Sequence, residues 1–522
     1  MGTDRIDKRI DRQFELIFYL ACFVFLYLQV FYFPATSIYY ESDHVNLLND
    51  AKRITEGEFI YRDFFEFTFP GAATLYAALM LVAGPKYWLV NAVIILHGLL
   101  AAFLGIQLSR RIIGDTAVAY LPSAIFIFFG FRWLGIDGEH RMISPLFCYL
   151  AVLILVQERT VRRLALAGVA CAFASFFSQQ RGVLAAAAIS VFVFCEFGIA
   201  KGEWGRAFRH SFVLGAAFLA SLALLLLPFV ILAGPSTFFD CTIGFLRWYI
   251  QDPQTNSLRT FFSTLTKVGS QGVVMLIVSL FYSLLIPGVY VIVGLVAAIR
   301  CRRSNTAGLS GILLLSCVGF FLALGSTGPN ASRLFQIGLP AVIALCWLIY
   351  QTRSASPILM KAAVACLAIF GILLGIRLQL AWDATILDTP SGRLVFLSPV
   401  IAERYEWLLE NAKPDDMVYE TYNSHVNFPL GLRNPSRMSI LLNSGYSPPE
   451  HVARAIEDLK RAKPRYIIWD GTWTNESEQD TDGKRLGPFY RYLEANYTRI
   501  KAFTPYDGRE REIWERSDHP RP

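Results

Sequence analysis

Two groups of charged residues have the types and spacing for chemistry at a membrane surface. The first is acidic. Tyr40-Glu-Ser-Asp-His44 places Glu41 and Asp43 directly after an apolar run, and Gly57-Glu-Phe-Ile-Tyr-Arg-Asp-Phe-Phe-Glu66 ends on a further carboxylate ahead of Pro70-Gly71. A carboxylate there can accept the proton of an acceptor hydroxyl, or help hold a divalent cation such as Mg2+ or Mn2+ over a phosphate. A solvated acidic loop also satisfies the charge pattern. The second group is basic: Arg141 in Asp137-Gly-Glu-His-Arg141, Arg181 in Ser178-Gln-Gln-Arg-Gly182, Arg247, and Arg333 in Ser332-Arg-Leu-Phe335. Any one of these can snorkel to lipid headgroups. Gathered on one side of a membrane they make an anion site, and the planar fork of arginine suits phosphate. Beside Arg141, Glu139 is a polar partner and His140 is either a ligand or a polar cap.

The elements that must position these groups are membrane helices. The 522 residues are 54% hydrophobic and only 17% charged, against roughly a quarter charged in soluble domains, which excludes a water-soluble protein of this size. Apolar runs near 14–33, 86–108, 115–130, 142–157, 161–178, 183–200, 210–233, 272–299, 307–325, 334–350 and 359–380 predict about eleven transmembrane helices. The first run is too long for a signal-peptide core and has no small-residue cleavage site. Basic residues recur in every second loop, at Arg110 and Arg111, Arg159 to Arg163, Lys201 to Arg209, Arg300 to Arg303, and Arg353 with Lys361. The positive-inside rule therefore puts those loops in the cytoplasm, and residues 34–85, 131–141, 178–182, 234–271, 326–333 and everything after 380 outside it. Up to residue 380 there are 29 Lys+Arg against 19 Asp+Glu, and after it 19 against 22. The overall basicity is thus a topology signal, and no nucleic-acid partner is expected.

The tail predicts a small extracytoplasmic α/β domain over 390–522, next to a membrane domain over 1–385. Helices are expected at Pro399 to Asn411, from a Ser447 capping box to Lys463, and at Pro488 to Asn496; strands at Met417 to Thr421, Arg465 to Asp470, Arg499 to Phe503 and Glu512 to Glu515. Residues 70–83 predict an interfacial helix within the first outward loop. Phe238, Phe239, Phe245, Trp248 and Tyr249 around Arg247 read as an interfacial aromatic belt or a lid, and Trp469, Trp473 and Tyr492 as glycan-stacking or packing residues. No Cys/His spacing suits zinc, and no nucleotide-binding loop or nucleophile elbow occurs.

An acidic residue just after the first span, a G-x-x-x-Y-R-D-F-F-E segment ending near proline, a basic second outward loop and a late S-R-L-F-x-x-x-L-P before a span together resemble the GT-C class of polyprenyl-phosphate-dependent glycosyltransferases. Within that class the chain looks most like bacterial family 39-type members related to protein O-mannosyltransferases and lipid A aminoarabinose transferases, over almost its whole length. The resemblance implies an inverting hexosyl- or pentosyltransferase in the bacterial inner membrane. It would use a polyprenyl-phosphate sugar as donor and a lipid, glycan or protein as acceptor. Asp43 is the implied catalytic carboxylate, with Glu41 as the second candidate. Arg141 and Arg333 are the implied donor-phosphate ligands, Arg181 a further one, and Glu139 and His140 their support. Glu66 stands where relatives carry a Glu near Pro-Pro, but Thr68 and Pro70-Gly71 depart from that pattern. The competing class is a transporter or flippase of lipid-linked saccharides, which needs charge within spans; the span centres here are nearly uncharged. A third possibility is a surface protein whose tail binds glycan.

Overall fold

A computed structural model of the chain describes residues 2–114, 116–251, 273–301, 307–326, 331–352, 356–380, 383–506 and 509–518. Two compact units emerge: residues 1–30, 93–227 and 258–380 form the first, and residues 31–92, 228–257 and 381–522 the second.

The first unit is helical. Each expected span falls on a helix or on consecutive helical segments, from Gly2–Val30 to Pro357–Gln379. Among the described residues, six helices are long and apolar enough to cross a membrane, and the bent pair Leu276–Ser283 and Pro287–Val296 makes a seventh when taken as one span. His140–Leu155, Leu309–Leu324 and Leu339–Gln351 are apolar but shorter. Their packing relies on small residues that let backbones approach. A side chain at Gly182, on the Gln179–Val193 helix, would strike the Cys171 carbonyl of the Val161–Phe177 helix, and one at Gly168 would lie 2.5 Å from the Leu214 carbonyl oxygen. At the ends expected to be cytoplasmic, basic residues are paired: Arg110 with Glu15 at 2.8 Å and Arg159 with Glu196 at 3.3 Å. Arg302, Arg303 and Arg353 lie outside the described residues.

The second unit contains two four-stranded sheets among the described residues. In one, β1 (Phe31–Tyr32), β2 (Thr36–Ile38), β3 (Thr385–Thr389) and β4 (Gly392–Phe396) run in the order β1-β2-β4-β3. Here β2, from the segment that follows the first helix, pairs in parallel with β4, Ser37 opposite Leu394. In the other, β5 (Val418–Glu420), β6 (Tyr466–Asp470), β7 (Tyr497–Tyr506) and β8 (Arg509–Arg516) run β5-β6-β8-β7. All five residues of β6 are buried, as in strands covered on both faces. The Pro449–Ala462 helix lays Val452, Ala455 and Leu459 into this core, the spacing of one helical face.

Three sequence expectations change here. The capping box fails: Pro448 is the N-cap, and the Ser447 hydroxyl instead accepts from the Leu442 N–H at 2.8 Å. Trp469 is fully buried, stacked on Phe489 and bonded to Thr474, so it belongs to the core and cannot meet a glycan. The aromatic segment packs inward in part, while Phe239 stays exposed. Phe245 packs on Phe65, Phe67, Tyr446 and His451, and Phe238 on Tyr61 and Phe69; residues 252–272 lie outside the described residues. The expected helix of the first loop is present as Gly71–Ala83.

Gly182→Val should disrupt the first unit, because overpacking against backbone costs about 1–3 kcal/mol or more. Gly215→Ala, whose Cβ meets nothing within 4 Å, should be tolerated. Thermal unfolding and size-exclusion elution of the two variants in detergent check this.

Candidate active site

In the second unit the chain leaves β2 and turns into the Asp43–Thr55 helix. Ser42 is extended at the N-cap and Asp43 occupies the first turn, where the helix dipole favours a carboxylate. Asp43 is exposed and the next ten residues are buried. His44 fixes the turn from behind, its Nδ1 lying 2.9 Å from Ser42 Oγ and its Nε2 3.0 Å from the Tyr87 hydroxyl. The Tyr40 N–H also donates to that hydroxyl, at 3.1 Å.

Glu41 is held very differently from Asp43. Arg404, from the Pro399–Asn411 helix, donates through Nη2 to Glu41 Oε1, and His425 Nδ1 lies 3.1 Å from the same oxygen. The other end of the guanidinium, Nη1, is 4.0 Å from Glu420 Oε1. Next to this network the Tyr39 and Tyr405 hydroxyls meet at 2.5 Å, and Tyr405 donates to the His425 carbonyl at 3.1 Å. Burial by itself raises a carboxyl pKa, but Arg404 and then His425 outweigh it and hold Glu41 well below the usual carboxylate range. A carboxylate stabilised to that degree is a weak base and a good anchor.

Glu41, Glu420 and His425 also bring three potential ligand atoms within 4.8 Å of one another. The donor set suits a divalent cation by type, yet the Arg404 guanidinium already bonds to Glu41 and reaches towards Glu420. The cluster has its own permanent cation, and as built it does not fit a metal.

Glu66 is half-buried in the same unit. Its Oε1 accepts the Thr68 N–H at 2.7 Å, and the Tyr61 hydroxyl donates to the Thr68 carbonyl at 2.7 Å. The carboxyl of Asp50 shares a hydrogen bond with Glu66. Burial, and then the facing Glu66, push Asp50 well above the usual carboxylate range, so the pair retains a proton.

The first unit gathers the basic candidates. Arg181, buried at the start of the Gln179–Val193 helix, donates to the Arg141 carbonyl and, at 2.8 Å, to Gln336 Oε1. Gln336 in turn donates to Glu139 Oε1 at 3.0 Å, and Arg141 Nη1 lies 3.4 Å from Glu139 Oε2. Arg141, Arg181 and Arg333 all lie within electrostatic reach of His140. Arg333 sits one turn before Gln336 on the short Ala331–Gln336 helix, whose Ser332 donates to the Leu134 carbonyl at 3.3 Å. Phe335 of that helix stacks on Phe126 at 4.5 Å, and a Cβ at Gly130, in the π-helical segment Ile125–Phe131, would come within 2.6 Å of its ring. π-helical turns of this kind recur at functional sites.

Glu139, His140, Arg141, Arg181 and Arg333 are thus one cluster within the first unit. Asp43, Glu41 and Glu66 belong to the second. Sequence reading missed Gln336, Arg404, Glu420 and His425. Gln336 was within reach, since it follows Arg333 by one helical turn. No local signal links Arg404 to Glu41, 363 positions away.

This architecture is the GT-C fold of membrane glycosyltransferases. Two solved structures match over nearly the whole of both chains. ArnT from Cupriavidus metallidurans in the apo state has a TM-score of 0.57 at 12% identity, covering 97% of this chain and 98% of that one. The same protein bound to undecaprenyl phosphate has 0.54 at 11%, covering 98% and 99%. The oligosaccharyltransferase of Archaeoglobus fulgidus, tethered to an acceptor peptide, matches with 0.51 at 12%, covering 97% of this chain and 74% of its own. No protein-family model and no curated protein sequence matches the chain.

The raised Asp50 carboxyl sets a pH dependence. The folded unit keeps a proton that the unfolded chain releases above the ordinary carboxyl range, so stability falls as pH rises through that range towards the raised value. Asp50→Asn should remove this slope. Comparing melting temperatures at pH 5 and pH 8, the parent should lose at least about 2 °C more than the variant.

Proposed function

We propose that the chain is an inverting glycosyltransferase of the bacterial inner membrane with eleven transmembrane helices, a membrane domain over 1–385 and an extracytoplasmic domain over 390–522. It transfers a hexosyl or pentosyl unit from a polyprenyl-phosphate donor to the hydroxyl of a lipid, glycan or protein at the outer face. The observation that carries this reading is the end-to-end likeness in fold to a structure bound to undecaprenyl phosphate. It is joined by a guanidinium cluster of the kind a departing lipid phosphate requires.

In this reading Asp43 is the base. It accepts the proton of the acceptor hydroxyl as that oxygen forms a bond to the anomeric carbon. The bond from that carbon to the phosphate oxygen breaks, its electron pair stays on the polyprenyl phosphate, and displacement from the opposite side inverts the centre. Arg141, Arg181 and Arg333 stabilise the charge that develops on the phosphate. Glu139 and His140, with Gln336, orient those guanidiniums. Glu41 positions Asp43 by tying the preceding residue pair to Arg404, and Glu66 stiffens the end of the same loop. No strong acid is needed on the leaving side, because a phosphate departs as a stable anion.

Asp43→Asn should leave expression, elution and melting temperature unchanged while lowering transfer of labelled sugar from lipid extracts by about 10²–10⁴-fold, the usual contribution of a positioned base. Arg333→Ala should weaken binding of undecaprenyl phosphate, which Asp43→Asn should leave intact. Full turnover in the Asp43 variant would sink the assignment.

A further inference from the structure

The second unit contains a cavity of about 490 Å³ that none of the roles above employs. It opens between the end of the Asp43–Thr55 helix, residues 432–437 and the Pro449–Ala462 helix. Among the described residues, seven Lys/Arg side chains and four carboxylates line it, against three apolar side chains. Ligand sites of this size are ordinarily mostly apolar. The four carboxylates pair with four of those cations, Lys52 with Glu56, Arg53 with Glu58, Arg62 with Asp63 and Arg461 with Asp458. The excess positive charge of the lining therefore lies with Arg433, Arg437 and Arg454, and the wall suits a ligand rich in hydrogen-bonding groups that carries negative charge itself.

The inner wall carries a buried amide: Asn49 is 2% exposed, and its side-chain Nδ2 has no hydrogen-bond partner. A buried donor left in that state is unfavourable, which an oxygen reaching it from the cavity would relieve. The neighbouring Arg53 is firmly positioned, by Glu58 at 2.6 Å and by the Ser436 carbonyl at 3.1 Å. Arg437 is fixed by the Tyr61 carbonyl at 2.6 Å. These ties fix the guanidiniums before any ligand arrives, so little side-chain entropy is lost on binding. At the rim, Arg433 and Arg454 are about half exposed; their partners, Asp415 at 3.2 Å and Glu457 at 3.3 Å, are more exposed still and lie outside the cavity lining. Solvent-exposed pairs of this kind exchange partners at small cost.

We infer that this cavity binds an anionic saccharide, a sugar unit bearing a phosphate ester or a carboxylate. The volume exceeds what a bare inorganic anion fills and falls within the range of small-molecule sites. The guanidiniums meet the anionic group, the Asn49 amide donates to a ring or hydroxyl oxygen, and the lining carboxylates accept from hydroxyls. The anionic group is a phosphate ester or a carboxylate by the same chemistry, and the two are separated by the choice of probe. Binding is read without turnover, so it stands or falls independently of the transfer reaction.

The test is calorimetric titration of the full-length protein in detergent with glucose 6-phosphate, glucuronate, glucose and inorganic phosphate. At least one of the two anionic sugars should bind saturably and at least ten-fold more tightly than glucose and inorganic phosphate. The double variant Arg433→Glu/Arg454→Glu, confined to exposed rim positions, should keep its melting temperature and weaken that binding at least ten-fold. Asn49→Asp, which brings a negative charge to the inner wall, should weaken it as well. The inference is overturned if neither anionic sugar binds, if glucose or inorganic phosphate binds as tightly as they do, or if the folded rim variant binds unchanged.

Discussion

The Arg404 guanidinium is the constraint on which the arrangement of the second unit depends. It lies buried against Glu41 on one side and Glu420 on the other, and a cation taken out of water in this way is tolerated only when its partners are in place. Removing one member of such a network strands the charge of another, typically at about 3–5 kcal/mol. Glu41 comes from the segment that follows the first helix, Arg404 and Glu420 from the tail, so the network ties together segments separated by most of the sequence. The same union is repeated by contacts outside that network. β2 pairs with β4, Lys52 donates to the Gly431 and Leu432 carbonyls, and Asn46 Oδ1 accepts the Ser424 N–H.

This union explains why two carboxylates only two residues apart have different surroundings. Glu41 sits where charge partners hold it ionised, and its strength as an anchor is what makes it poor at accepting a proton. Asp43 lies beyond the anchored stretch, exposed on the first turn of a helix whose following residues are buried. Its backbone is fixed by Ser42, His44 and Tyr87, while its side chain faces solvent. In the reaction proposed above the base needs an orientation that is set in advance, and the rigid neighbouring residues supply it.

Some of this was legible in the sequence, for physical reasons. Apolar runs long enough for a bilayer specify helices almost regardless of context, and the Pro399–Asn411 helix appears with the expected bounds because proline at its start and a periodic apolar face suffice to define it. What was illegible depends on pairing over distance. β1 and β2 are two and three residues long, too short for any periodicity, and exist only because β4 lies alongside. The Ser447 capping box looked complete locally, but the Leu442 N–H claimed the hydroxyl first. Phe245 and Trp469 were read as surface aromatics because loop and strand-end positions usually are. Their actual neighbours, His451 and Phe489, come from helices that the sequence showed without showing where they pack.

The arginine cluster of the first unit follows the same logic at greater cost. A guanidinium among apolar helices has to be satisfied by its own surroundings, and Arg181 is satisfied by one backbone carbonyl and one side-chain amide rather than by a carboxylate. Neutral acceptors pair its hydrogens, and Glu139 acts on its charge only through space. Glu139 is shared between Arg141 and Gln336, so its charge is spread across the cluster instead of neutralising a single arginine. Hydrogen-bond satisfaction without charge neutralisation is costly as a means of stability alone. In the reaction proposed above, the missing negative charge arrives with the donor and grows as its bond to phosphate breaks.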